Sequence, residues 1–209
     1  PWRILAVTFT NKAAREMRER VVSLVGESVG QEMTICTFHS LCARILRADG
    51  HRIGVPRDFA IYDEEDQTAA VRQALAELDL DPRSNPPGAI LALISRAKAE
   101  MRSPQAMAAL AQSYFQEVAA RVYAVYQRIL EENSALDFDD LLNRAVQLFR
   151  EHEEVRARYA ERFLYQHIDE FQDTNVAQYA LARLLAEPHR NLCVAVSYTH
   201  LTLPTNREV

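Results

Sequence analysis

Residues 165–175 read YQHIDEFQDTN, and their pattern decides the fold. The run FLYQHI (163–168) is short, apolar and rich in β-formers, and it stops at two adjacent carboxylates, Asp169 and Glu170. A helical spacing follows through Ala177, Leu181, Leu184 and Leu185, and then a second apolar run, LCVAV at 192–196. Strand, turn, helix and strand in that order make the repeating unit of a parallel sheet, whose carboxyl edge is where open α/β folds bind ligands. Two acids at such an edge suit nucleotide hydrolysis, in which one carboxylate holds Mg²⁺ on the phosphates and a neighbour orients the attacking water. On that logic Asp169 serves the metal and Glu170 the water. The competing reading is a solvated strand end or a helix cap.

The same alternation opens the chain. RILAVT (3–8) reads as a buried strand. Ala14, Met17, Val21, Leu24 and Val25 then recur at helical spacing, with Lys12, Arg15, Arg18 and Arg20 largely off that stripe and Gly26 as a stop. MTICTF supplies another strand and SLCARIL another helix. The middle differs. Asp63 is placed to cap a helix whose first turn is acidic, residues 79–87 break it, and helices are predicted near 88–101, 104–112, 115–132 and 138–151 with no strand signal among them. The expected fold is therefore α/β. Strands at 3–8, 34–37, 164–169 and 192–196 form one parallel sheet, interrupted by an all-helical block over 61–150.

Composition narrows the class. With 48% hydrophobic residues over 209, the chain has enough apolar surface for a real core. No run approaches the ~18 apolar residues of a membrane span, and PWRILAVTFT lacks the regions of a signal peptide. Cys36, Cys42 and Cys193 form no CxxC pair; they are expected as small buried residues in a reducing, cytoplasmic setting. The net charge of −5 excludes a uniformly basic coat, yet residues 1–60 carry nine Lys/Arg against six Asp/Glu, so an anionic partner should meet that part.

Four strings in sequence order carry a family resemblance. DEFQDTN with Ala177-Gln178-Tyr179 resembles the Walker B segment of UvrD/Rep/PcrA-type superfamily 1 DNA helicases almost residue for residue. AVTFTNKAAREMRERV (6–21) is similar to that family's first DNA-contact motif, TFHSLCARIL (37–46) to the next, and LDFDDLL (136–142) to a segment between insertion and Walker B. The resemblance implies a partial RecA-like P-loop NTPase sheet, formed by 1–60 and 151–196, with 61–150 as a helical insertion subdomain. It implies ATP and Mg²⁺ as cofactors, with Asp169 and Glu170 catalytic, Asp169 also on the metal, and Gln172 at the nucleotide. It implies single-stranded DNA and duplex junctions as partners, no membrane, and 3′-to-5′ movement. Thr8, Phe9, Thr10, Asn11, Lys12, Thr37 and His39 fall on the DNA-contact positions, Phe9 as a base-stacking face and the polar groups on backbone phosphates.

Other residues have blander readings. Phe38 is expected in the core, and His167 as a partly buried structural residue. Asp137, Asp139 and Asp140 are read as helix-capping carboxylates rather than a metal site. Glu153 and Glu154 among Arg150, Arg156 and Arg158 are read as a solvated helix face. No G-x-x-x-x-G-K-[ST] occurs, so the chain is expected to be a truncated first motor domain that does not hydrolyse ATP alone. Residues 197–209 lack the family's next motif and are expected to be a non-native tail. The rival functions are the motor portion of a RecB/AddA-type helicase–nuclease, a single-stranded DNA-binding module without ATPase activity, and a degenerate structural homologue.

Overall fold

The computed structural model describes residues 1–197; the expected tail of 197–209, apart from Ser197, lies outside them. The chain begins with β1 (Ile4–Thr8), α1 (Asn11–Val25), α2 (Glu27–Glu32), β2 (Thr34–Thr37) and α3 (Phe38–Asp49). A middle stretch holds β3 (Ala60–Ile61), α4 (Glu64–Glu77), α5 (Pro87–Ala99), α6 (Pro104–Ala109), α7 (Tyr114–Glu132) and β4 (Ala135–Leu136). Then come α8 (Phe138–Glu151), α9 (Glu153–Arg162), β5 (Tyr165–Ile168), α10 (Val176–Ala186) and β6 (Leu192–Val194). Among these residues no helix is long and apolar enough to cross a membrane.

The main sheet has the order β2-β1-β5-β6, and every pairing is parallel. Parallel neighbours need long crossovers, which the intervening helices provide. One sheet face is dry: Leu5, Val7 and Ile168 pack with Phe38, Leu41 and Leu142 in a single buried cluster to which α3, α8, α9 and α10 all contribute. The other face is covered less. Helix α1 is tied to β2 by Arg18, whose Nη2 donates to the Ile35 carbonyl at 2.5 Å, but of its expected apolar stripe only Ala14 is buried. Met17 and Val21 are half-buried, and Leu24 and Val25 are exposed. His167 is likewise exposed rather than partly buried, because it alternates with Gln166 and Ile168 and so points away from the dry face. Cys36 and Cys42 are buried as expected, while Cys193 on the edge strand β6 is exposed.

A second buried cluster joins α4, α5 and α7 through residues such as Val71, Leu75, Ile90, Ile94, Val122 and Tyr126. The chain enters this region through β3 and leaves through β4. The two strands pair in parallel, Ala60 beside Ala135 and Ile61 beside Leu136. Strands of two residues have no periodicity to read, so sequence pattern missed them. Local chemistry starts the helices: Asp63 and Asp137 each form a reciprocal capping box, with Asp66 and Asp140 respectively. Helix α8 lies within the expected block of 61–150, yet Leu141, Leu142, Ala145, Val146, Leu148 and Phe149 are buried in the sheet's own cluster.

The two clusters meet around a buried ion triad. Lys98 Nζ of α5 stands 2.6 Å from Asp137 Oδ2 and 2.8 Å from Asp140 Oδ1, with no side-chain exposure of its own. The Tyr126 hydroxyl donates to Asp137 Oδ2 at 2.8 Å. Burial alone would depress the Lys98 ammonium, but Asp140 and Asp137 outweigh it and hold the group above its ordinary pKa. A second link joins α3 to α9. Arg158 Nη2 reaches the buried Asp49 at 2.5 Å and the Tyr159 hydroxyl reaches it at 3.0 Å; Arg158 lies on the solvated face, as expected, and ties α9 to α3 from there. Removing the cation in Lys98→Met leaves two carboxylates buried without it and should destabilise the fold by about 3–5 kcal/mol. Adding Asp137→Asn and Asp140→Asn should recover most of that loss, as read from urea unfolding midpoints; equal stability of the single and triple variants would contradict it.

Candidate functional site

Strand register gathers the site. Thr8 lies beside Thr37, and Val7 beside Ile168, so β1, β2 and β5 end along one carboxyl edge. Two of these ends run directly into helices. Thr10 Oγ1 accepts from the Ala13 N–H at 3.1 Å at the start of α1, and Thr37 Oγ1 accepts from the Ser40 N–H at 3.2 Å at the start of α3. Both helix N-termini therefore face the same edge, each with the partial positive charge that favours anions.

The third end carries the acids. The Asp169 N–H donates to the Val7 carbonyl at 3.0 Å, and the Phe171 N–H donates to the Ala195 carbonyl at 2.9 Å, which pins the turn to both neighbouring strand ends. Between these anchors Glu170 adopts φ 48°, ψ 47°, a left-handed conformation uncommon for a residue with a side chain. Its Oε2 accepts from Gln172 Nε2 at 2.5 Å. Thr174 Oγ1 then donates to the Phe171 carbonyl at 2.7 Å, and Asn175 with Gln178 forms the capping box of α10. The string DEFQDTN is thus two acids, a tight turn and a helix start.

Asp169 lines a cavity of about 710 Å³ that extends along α1 past Met17. The other charged residues on its wall are Glu16, Glu19 and Arg20. Three carboxylates against one guanidinium suit a cation better than a bare phosphate. Among the described residues no cluster of three or more His, Cys, Asp or Glu side chains could hold a metal. Mg²⁺ bound through one or two carboxylates, phosphates and water needs no such cluster, and Asp169 fits that role.

The expected DNA-contact residues divide by burial. Thr8 and Thr37 are buried, and their hydroxyls bond to local partners, Thr8 Oγ1 to the Thr10 carbonyl and Thr37 Oγ1 to Ser40 Oγ. Thr10, Asn11 and Lys12 are exposed, and Lys12 pairs with Glu16, 3.8 Å away in a largely solvated contact worth little. Phe9 is half-buried against the main cluster and tilted on the core residue Phe38, with ring centroids 5.9 Å apart. His39 is half-buried, and burial lowers its pKa. Its ring stands edge-on to Phe138 at 5.7 Å and 83°. Phe138 is 46% exposed, and sequence reasoning passed over it. It shares helical spacing with the buried Leu141, Leu142 and Ala145, so its pattern reads as core.

Comparison with known proteins identifies the family. The family model of the UvrD/REP helicase N-terminal domain matches residues 1–196. The ATP-dependent DNA helicase PcrA of Bacillus subtilis is 49% identical over 194 residues, covering 93% of this chain and 26% of that protein. Proteins of the same name from Leuconostoc citreum and Staphylococcus aureus are 46% and 45% identical, with the same coverage. The chain spans about a quarter of the length of the curated relatives it matches.

The edge depends on its caps. Thr37→Val should remove the hydroxyl that starts α3 and lower stability by about 1 kcal/mol, whereas Thr37→Ser should be close to neutral. Equal urea midpoints for the two variants would show that the cap contributes nothing.

Proposed function

We propose, from the premise that the chain belongs to the UvrD/REP helicase N-terminal domain family, that it is the portion of an ATP-dependent DNA helicase carrying the water-activating acids and a single-strand track. The observation that carries this reading is the shared carboxyl edge, where Asp169 and Glu170 end β5 while Phe9 and Thr10 follow the adjacent β1. One edge can then serve both nucleotide and DNA. The sheet is read as RecA-like, and α4 to α7 as a helical insertion entered and left through the paired β3 and β4. Because α8 packs with the sheet, it is counted with the motor portion.

Asp169 is the metal-holding carboxylate on the cavity wall. Mg²⁺, when bound with ATP, supplies neutralisation of phosphate charge. Glu170 orients water and accepts its proton, and Gln172, hydrogen-bonded to Glu170, lies where it can reach the nucleotide. The charges around the cavity do not grip phosphate, and no phosphate-loop motif occurs in the 209 residues. A separate phosphate-binding segment therefore completes the site, and this chain alone does not turn over ATP. On the DNA side Phe9 offers its exposed part for base stacking. Thr10, Asn11, Lys12 and the start of α1 receive backbone phosphate, and His39 with Phe138 adds a second aromatic surface. The direction is 3′ to 5′, with duplex junctions as the substrate in the whole protein.

Two variants test the halves separately. Phe9→Ala should weaken single-stranded DNA binding by about 1–3 kcal/mol with little dependence on base identity; unchanged affinity in matched salt would return Phe9 to a purely packing role. In the full-length protein, Glu170→Gln should keep ATP binding while single-turnover hydrolysis falls by about 10²-fold or more. Near-normal hydrolysis would remove Glu170 from the catalytic role.

A further inference from the structure

The capping carboxylates of α8 are held more firmly than a cap requires. Asp137 Oδ1 accepts the Asp140 N–H at 2.8 Å, which by itself satisfies a helix N-terminus. Beyond that, Lys98 Nζ sits 2.6 Å from Asp137 and 2.8 Å from Asp140, and the Tyr126 hydroxyl adds a bond to Asp137. Ser95, one turn earlier on α5, donates to Asp139 Oδ2 at 2.6 Å. Asn143 Nδ2 closes the arrangement on the Lys98 carbonyl at 3.0 Å. Of the residues 137 to 140, three are therefore gripped by α5 and α7. The remaining one, Phe138, meets the His39 ring and is otherwise half in solvent.

A buried ion pair adds little net stability over apolar residues of the same volume, because desolvation offsets its attraction. What it adds is direction, since charge-assisted hydrogen bonds at these distances permit one geometry. Here that geometry is the rotation of the first turn of α8. We propose that Lys98 is a positioning residue for the DNA-contacting edge: through Asp137 and Asp140 it fixes Phe138 against His39. The inference rests on the DNA role given above for that edge, but the positioning itself is a property of the chain alone.

The test uses the 209-residue chain and the variant Lys98→Met/Asp137→Asn/Asp140→Asn, which keeps an amide cap and removes the three charges of the buried triad together. His39 is followed by NMR titration. In the wild type its pKa lies below the ordinary value because it is buried; in the triple variant it should rise toward that value, as it should in Phe138→Ala. Affinity for a single-stranded oligonucleotide should fall by roughly tenfold in either variant, the scale of one lost stacking contact. Combining them should produce no further loss, whereas Phe9→Ala should add its full effect to each. A folded triple variant whose His39 titration and affinity match the wild type, while Phe138→Ala changes both, would overturn the proposal. Should the triple variant fail to fold, Tyr126→Phe removes one hydroxyl from Asp137 and should move the His39 titration partway; no movement would count against the proposal equally. If neither Phe9→Ala nor Phe138→Ala alters oligonucleotide binding, the DNA reading fails, and the His39 titration still decides whether Lys98 positions Phe138.

Discussion

The register of β1 between β2 and β5 is the constraint on which the candidate site depends. Because Thr8 lies beside Thr37 and Val7 beside Ile168, segments more than a hundred residues apart end at one edge. A slip of one residue would move Leu5, Val7 and Ile168 off the dry face and carry the strand ends out of line. The dry face holds the register, and the register aligns two helix N-termini with two carboxylates. The Asp169 N–H on the Val7 carbonyl and the Phe171 N–H on the Ala195 carbonyl extend that alignment past the strand ends, holding Glu170 in its left-handed turn.

Helix α8 carries the same order into the helical region. Its apolar face belongs to the sheet cluster and its first turn is held by Lys98, so it couples the two packing units. The apolar part of this coupling is non-directional. The ionic part is directional, and it sits where the chain returns from the helices to the edge. Asp49 does similar work between α3 and α9, held below the usual carboxylate range despite its burial by hydrogen bonds from Arg158 and Tyr159.

Features set by neighbours in sequence were legible in the sequence. Asp63 and Asp137 are caps, Gly26 ends α1 at a positive φ of 86°, and Phe38 is core. The expected helices agree with the observed ones to within a few residues. Features set by what packs across space were not legible. His167 and the end of the α1 stripe are exposed because a strand or helix pattern says which residues share a face, not whether anything covers it. Lys98 gave no signal, since a lysine on an amphipathic helix reads as solvated until its two partners, some forty residues later, are seen beside it. Thr8 and Thr37 lie at the carboxyl edge but are buried, with their hydroxyls bonded to local partners, which spacing cannot show.

The central claim is that one carboxyl edge of the sheet meets DNA, and hydrogen exchange of the chain with and without a single-stranded oligonucleotide tests it most directly. Amides just after β1 and β2 and at the start of α8, around residues 9–13, 38–41 and 138–140, should exchange more slowly when the oligonucleotide is bound. Those around 162–165 at the opposite edge and within α4 should not change. Protection centred on the opposite edge or on α4 to α7, with residues 9–13 unaffected, would contradict it.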